Sequence, residues 1–255
     1  MTKADEAYIR VAATPSPSPV RFDPAHVERL PEIVRRYFRR AIAPGTALHT
    51  SVQLEMTGRF LLGDKEDLQS YRMAARQVLR APDQFVWLPK LRSGPISIVG
   101  SDALVAGEAW TRFWRMGLVP VAQERCSPDL VRSARFRAAI ESSLWVPASL
   151  LPDSGVKWEQ VGADEAQVTF ERIDPAIVLR MTLDEEGAVK EVVGQRWSNA
   201  NPDKVFRLQP FGGTILAVAT FDGFTIPTGV AVGNHFGTDD YLAFFQARIT
   251  GAVYG

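Results

Sequence analysis

Between Leu48 and Leu62 the residues Leu48, Val52, Leu54, Met56, Phe60 and Leu62 all fall on even positions, with polar or small residues mostly between them. A repeat of two sends alternate side chains to opposite faces, so this segment reads as a half-buried strand, because a helical stripe would repeat every 3.6 residues. The alternation returns at Tyr71, Met73, Ala75 and Leu79, at Phe85 and Trp87, at Ala166, Val168 and Phe170, at Ile177, Leu179, Met181 and Leu183, and at Ile215, Ala217, Ala219 and Phe221. Asp184 to Gly187 and Asp222-Gly223 supply hairpin turn chemistry between such segments. Many strands joined by tight turns form an antiparallel sheet, and strand twist prevents a sheet of that size from staying flat. The predicted fold class is mainly β (α+β): a large curled antiparallel sheet forming a half-barrel or barrel, with an N-terminal helix and an inserted central helix as lid. The inside of such a curl is either filled with side chains or kept as a ligand cavity.

The two helices have their own signals. Asp23-Pro24 offers an N-cap followed by proline at the first helical position, and Val27, Leu30, Val34, Tyr37, Phe38 and Ala41 recur at helical spacing, with Pro31 expected to kink or restart the helix. Its other face carries Arg35, Arg36, Arg39 and Arg40, a solvated face or one that rests on an anionic membrane. Ser127, Pro128 and Asp129 start the central helix, expected to run to about Ser142 before Pro147 and Pro152. Pro15, Pro17 and Pro19 alternate with serines, so residues 1–20 are expected to be a disordered tail and residues 21–255 one curled-sheet domain with its helical lid.

Composition narrows the function classes. A chain of 255 residues that is 46% hydrophobic can bury a full core. Lys plus Arg equals Asp plus Glu at 29 each, so no whole-molecule field would gather phosphate backbones, and nucleic acid is not an expected partner. Cys126 is the sole cysteine, which excludes an internal disulfide and a multi-thiolate zinc site. The start of the chain has acidic residues where a signal peptide is basic, and its apolar runs fall short of the roughly 20 residues that cross a bilayer. A soluble, cytoplasmic protein without stable membrane insertion is the expectation.

No phosphate-cradling loop, dinucleotide fingerprint, nucleophile elbow or paired-histidine zinc helix is present, so no cofactor is expected. His26, His49 and His235 lie far apart in the chain, and no metal is expected. The Gly212-Gly213 pair in Pro210 to Gly213 reads as a turn. Cys126 sits beside Arg125 at a helix start, where it is either a reactive thiolate or, more commonly, a small buried thiol. Arg137 and Glu141, four apart on the central helix, are an ordinary helical salt bridge or a buried polar pair that positions the lid.

The stretch Leu104 to Gly117 is the most suggestive. If it forms one strand, or two that keep their parity, then Leu104, Ala106, Glu108, Trp110, Arg112, Trp114 and Met116 share one face. Turned into a cavity, Glu108 beside Trp110 would serve as acid or base, with Arg112 as its partner; on an outer face the same residues are an ion pair with packed indoles. His235, expected at a loop tip near Asp239 and before a final strand, is a further acid–base candidate, and Phe236 beside it a ligand contact. Trp87, Trp110, Trp114, Trp145 and Trp197 are the expected aromatic lining.

The segments "LPEIVRRYFRRAI", "RQVLRAPDQFVWLPKLR", "MGLVPVA", "RSARFRAAIESSLWVPASLLP", "PFGG" and "FGTDDYLAFFQARI" resemble a bacterial family catalogued as a domain of unknown function, over residues 30–250. The resemblance implies a layout similar to the half-barrels with a helical lid used by periplasmic lipoprotein carriers, and it brings no catalytic residues. The missing export signal argues against an envelope carrier. Two functions are therefore expected, in this order: cofactor-free cyclisation or isomerisation of a polyketide-like intermediate inside the curl, or carriage of a lipid or hydrophobic metabolite without chemistry.

Overall fold

The computed structural model describes residues 2–14, 20–63 and 67–255. Its frame is a 13-stranded antiparallel sheet. The first half comprises β1 (Ser51–Leu62), β2 (Gln69–Arg80), β3 (Gln84–Ser93), β4 (Ile96–Val105), β5 (Glu108–Arg115) and β6 (Val119–Arg125). The second comprises β7 (Val156–Gln160), β8 (Glu165–Phe170), β9 (Ile177–Leu183), β10 (Val189–Ser198), β11 (Arg207–Phe221), β12 (Phe224–Asn234) and β13 (Leu242–Tyr254). Each half is a meander of neighbours, and the halves join where β1 pairs with β13, so the spatial order runs from edge β6 through β1 and β13 to edge β7. No pairing joins β6 to β7 among the described residues, and the sheet is curled but unclosed.

The curl has local causes. Register shifts interrupt the ladders at Glu55/Met56, Phe113/Trp114, Val189/Glu191, Val232/Asn234 and twice between Ile215 and Val218, and each extra residue bends its strand and increases its twist. Gly212 and Gly213 lie inside β11, not in the turn expected for Pro210 to Gly213. A Cβ on Gly213 would stand 2.2 Å from the Ala231 carbonyl oxygen, and one on Gly212 2.3 Å from that of Val192, so these glycines admit a strand approach that any side chain would block. The hairpin turns expected at Asp184 to Gly187 and at Asp222-Gly223 are present, and Asp222 and Gly223 both have positive φ as a two-residue turn requires.

Among the described residues three α-helices dress the sheet: α1 (Lys3–Ala13), α2 (Glu32–Ala41) and α3 (Pro128–Trp145). The chain leaves edge strand β6, crosses the concave side as α3 and enters the opposite edge at β7. Ser127 caps α3 by accepting from the Leu130 N–H at 3.1 Å, as its sequence signals suggested, and the helix extends past Ser142 to Trp145. Asp23 caps a short 3-10 turn over Pro24–Val27, and α2 restarts behind Pro31, as expected. Tyr37 and Phe38 of α2 pack their rings against Trp158 at 5.9 Å each, while Arg36 reaches the Glu185 carbonyl at 2.8 Å.

The N-terminal segment departs from the expected tail. Lys3–Ala13 forms α1, opened by a capping box between Thr2 and Asp5, and lays Ala7, Tyr8 and Val11 on Val78, Val86, Ala103 and Val105 of the convex face. Those four residues occupy the outward parity of β2, β3 and β4, so the sheet is apolar on both faces there and needs a cover on each. Pro15, Pro17 and Pro19 lie outside the described residues.

Candidate functional site

Strand parity decides what faces the concavity. In β3 and β4 the inward residues are Phe85, Trp87, Leu91, Ile98, Asp102 and Leu104, all in or beside the main core. The β4–β5 connection has two residues, Ala106 and Gly107, both with positive φ, so Val105 faces Glu108 and Leu104 faces Ala109 across the ladder. That count inverts parity. Ala109 and Phe113 point inward; Glu108, Trp110, Arg112 and Trp114 point outward.

The expected inward constellation is therefore corrected. Glu108, with 59% of its side chain exposed, pairs with Arg125 at 3.0 Å. It lines an open groove of about 680 Å³ between α1 and the convex face, together with Trp110, Arg112 and Trp114. Trp110 donates its indole N–H to Ser101 Oγ at 3.0 Å. Cys126 is exposed rather than buried. His235 has φ 59° at the end of β12, and its Nε2 lies 2.8 Å from the Ala200 carbonyl oxygen; Phe236 meets Tyr241 edge-on. Trp197 donates to Asp129 Oδ1 at 2.6 Å, has Arg132 over its ring at 4.0 Å, and borders an open cleft of about 500 Å³ outside the curl. Trp87 and Trp145 do reach the concavity.

Between the concave face and α3 lies a partly open cavity of about 210 Å³. Phe60, Trp87, Phe211, Phe244 and Phe245 form its sheet-side wall, and Phe136, Ile140 and Leu144 of α3 its other side. The aromatic wall is continuous: Phe136 meets Phe211 at 5.8 Å, Phe211 meets Phe244 at 6.2 Å, Phe244 meets Phe60 at 5.5 Å, and Phe60 meets Trp87 at 5.8 Å. Small residues on α3, Ala138, Ala139, Ser142 and Ser143, let the helix sit deep in the curl. Both serine hydroxyls donate back to helix carbonyls, at 2.6 and 2.7 Å, and so are buried without loss. Trp145 N–H to the Pro227 carbonyl at 3.1 Å and Tyr254 O–H to the Trp145 carbonyl at 2.9 Å fasten its C-terminal end.

Four charged side chains also border this cavity: Asp102, Arg137, Glu141 and Arg196. Arg137 donates from Nη1 to Asp102 at 3.0 Å and from Nε to Glu141 at 2.7 Å, while Gln77 donates to the second Glu141 oxygen at 2.5 Å. The Arg137–Glu141 pair is thus part of a mostly buried network that binds the lid helix to β4 and β2. Burial works against the Arg137 charge, but Glu141 and Asp102 outweigh it and hold the guanidinium above its ordinary value. Arg196 differs. Burial first, and then the nearby Arg137 charge, pull it down to about 10. Asp102 and Arg196 were missed by the pattern reading, though each carries a legible signal: a charge on the apolar parity of its strand, beside Ile98 and Leu104 or beside Val192 and Gly194. Among the described residues no three His, Cys, Asp or Glu side chains cluster as a metal site needs.

The sequence model of DUF6544, a family of unknown function, matches residues 20–247. The chain belongs to DUF6544. No curated protein matches it in sequence. Among solved structures, this DUF6544 chain is similar to a LolA superfamily protein from Nitrosomonas europaea, at 9% identity and a TM-score of 0.46 over 88% of this chain and 92% of that one. It is also similar to a DUF1329 family protein from Desulfovibrio piger, at 9% identity and a TM-score of 0.35 over 100% and 94% of the two chains. No described helix is long and apolar enough to cross a membrane.

Proposed function

We propose that this protein holds a small hydrophobic molecule between α3 and the concave face of its sheet and carries it without chemistry. The observation that carries this reading is the cavity of about 210 Å³ between α3 and the sheet, with its continuous aromatic wall. An apolar void of about 150 Å³ already admits benzene or xenon. Binding ranks ahead of cofactor-free cyclisation or isomerisation because of where the acid–base groups lie. Glu108 and Arg112 are on the convex side, His235 is engaged with a backbone carbonyl, and Glu141 at the cavity is committed to Arg137 and Gln77. The convex groove is open and lined by charges, so an apolar guest leaves less water by entering it.

The size of the cavity sets the affinity scale. Six methylenes buried at about 0.8 kcal/mol each give about 5 kcal/mol, a dissociation constant of order 0.1–1 mM for a short chain. Isothermal titration with 1-octanol tests this in the wild type and in Ile140→Trp, whose indole occupies the void. Saturable one-to-one binding that weakens at least tenfold in the filled variant is the expected result. Absence of binding to the wild type, or binding that persists in Ile140→Trp, refutes the reading.

A further inference from the structure

We propose that the ligand of this cavity is an amphiphile with an anionic headgroup, carboxylate or phosphate, which docks on Arg196 while its chain lies along the aromatic wall. The inference rests on the ligand-binding reading above and names its substrate class.

The charges around the cavity are unequally paired. The two carboxylates at the cavity, Asp102 and Glu141, each pair with Arg137, Asp102 through Oδ2 alone while its Oδ1 is buried without a hydrogen-bond partner, and the Arg137 guanidinium also lies 4.9 Å from the Trp87 ring centroid. Arg196 stands against the Phe211 side of the wall, with its guanidinium 5.0 Å from the Phe211 ring centroid. Its Nε donates to Ser133 Oγ at 3.1 Å, and among the described residues its two terminal amino groups have no acceptor and no carboxylate in ion-pairing range. A guanidinium offers five N–H donors in a planar fork that matches two oxygens of one anion. Four of those donors are unused by the protein, at a half-buried side chain within electrostatic range of the Arg137 cation. An unpaired, half-buried charge is costly to keep, so its natural complement is an anion that arrives with the ligand.

The volume bounds the rest of that molecule. At roughly 30 Å³ for each water-sized unit, about seven heavy atoms fit the cavity, so a medium chain is the appropriate probe. From the Arg196 end the chain would pass Phe211, Phe244 and Phe60 in turn, the order in which their rings touch. A headgroup placed on Arg137 would meet Asp102 and Glu141 and be repelled.

The test compares octanoate, octyl phosphate and 1-octanol by isothermal titration at pH 7, on the wild type and on Arg196→Met and Arg196→Lys. At least one anion should bind the wild type ten or more times tighter than octanol. That preference should vanish in Arg196→Met with octanol affinity unchanged, and return in part in Arg196→Lys. Preference for octanoate over octyl phosphate, or the reverse, identifies the headgroup. Octanol binding as tightly as both anions overturns the headgroup assignment and leaves the cavity reading standing. An anion preference that survives Arg196→Met overturns it as well, by placing the anion elsewhere. If none of the three binds, both readings fall together. Should Arg196→Met not fold, Arg196→Lys carries the comparison, and an anion preference undiminished in that variant overturns the assignment.

Discussion

Arg137→Met and Arg196→Met are the same chemical change on two walls of one cavity, and they should move stability in opposite directions. Removing Arg137 strands Asp102 and Glu141, whose side chains are 22% and 12% exposed, with no counter-ion. Breaking a buried ion pair from one side costs about 3–5 kcal/mol. Removing Arg196 relieves a penalty instead. A guanidinium pulled down to about 10 from its ordinary value is destabilised in its charged form, by about 3 kcal/mol at about 1.4 kcal/mol per pH unit. Against this stand the lost bond to Ser133, about 1 kcal/mol, and the lost contact with the Phe211 face, about 1 kcal/mol. The net expectation is a ligand-free Arg196→Met protein about 1 kcal/mol more stable than wild type. Because the unfolded state binds this proton more tightly, the penalty is present in full below about pH 10 and is relieved as pH rises from there toward the ordinary guanidinium range. The advantage of Arg196→Met should therefore hold at pH 7 and shrink above pH 10. Urea unfolding followed by tryptophan fluorescence, with unchanged denaturant slopes, reads both variants. An Arg196→Met protein that loses more than about 2 kcal/mol would show that Arg196 is already satisfied by the fold, and the reasoning behind an unpaired cation would be wrong.

Two further expectations concern the scaffold. Gly213→Ala places a methyl carbon 2.2 Å from the Ala231 oxygen and forces β11 from β12, which should destabilise by about 1–3 kcal/mol or more. Gly251→Ala, whose nearest new contact is 3.8 Å away, should change stability by less than about 1 kcal/mol in the same urea assay. At the β9–β10 turn, burial opposes ionisation of Asp184, but the hydrogen bonds from Lys190 and from the Ala188 and Glu186 N–H groups prevail and hold its carboxyl below the usual range. Asp184→Ala should cost about 1–2 kcal/mol at pH 7. That cost should fade as pH drops below about 4, because the stabilisation is present above the unfolded value and lost as the folded group takes up its proton. Thermal melts across pH 3–7 check it, and a cost independent of pH would count against the charge-assisted bonds.

Much of the architecture was legible because the signals are local. Strand period, the caps at Asp23 and Ser127, and the turn at Asp222-Gly223 depend on neighbours within a few residues, and each element stands near where those signals put it. α1 escaped because the prolines at 15, 17 and 19 dominate the composition of the segment, while the reason the helix binds lies on strands more than 60 residues away. The Gly212-Gly213 pair was misread for a related reason: adjacent glycines usually mark turns, and only the approach of β10 and β12 on either side shows why a strand needs them here.

The sequence by itself determined that the chain builds a broad, curling antiparallel sheet with one helix inserted at mid-chain, because alternation, capping and turn chemistry act over a few residues at a time. Tertiary structure alone decided which charges meet. A two-residue hairpin at Ala106-Gly107 turned Glu108 and Arg112 outward, and the passage of α3 across the curl brought Arg137 to Asp102 and left Arg196 without a carboxylate. Electrostatic pairing depends on distances between residues far apart in the chain, and a pattern read along the chain carries no record of those distances.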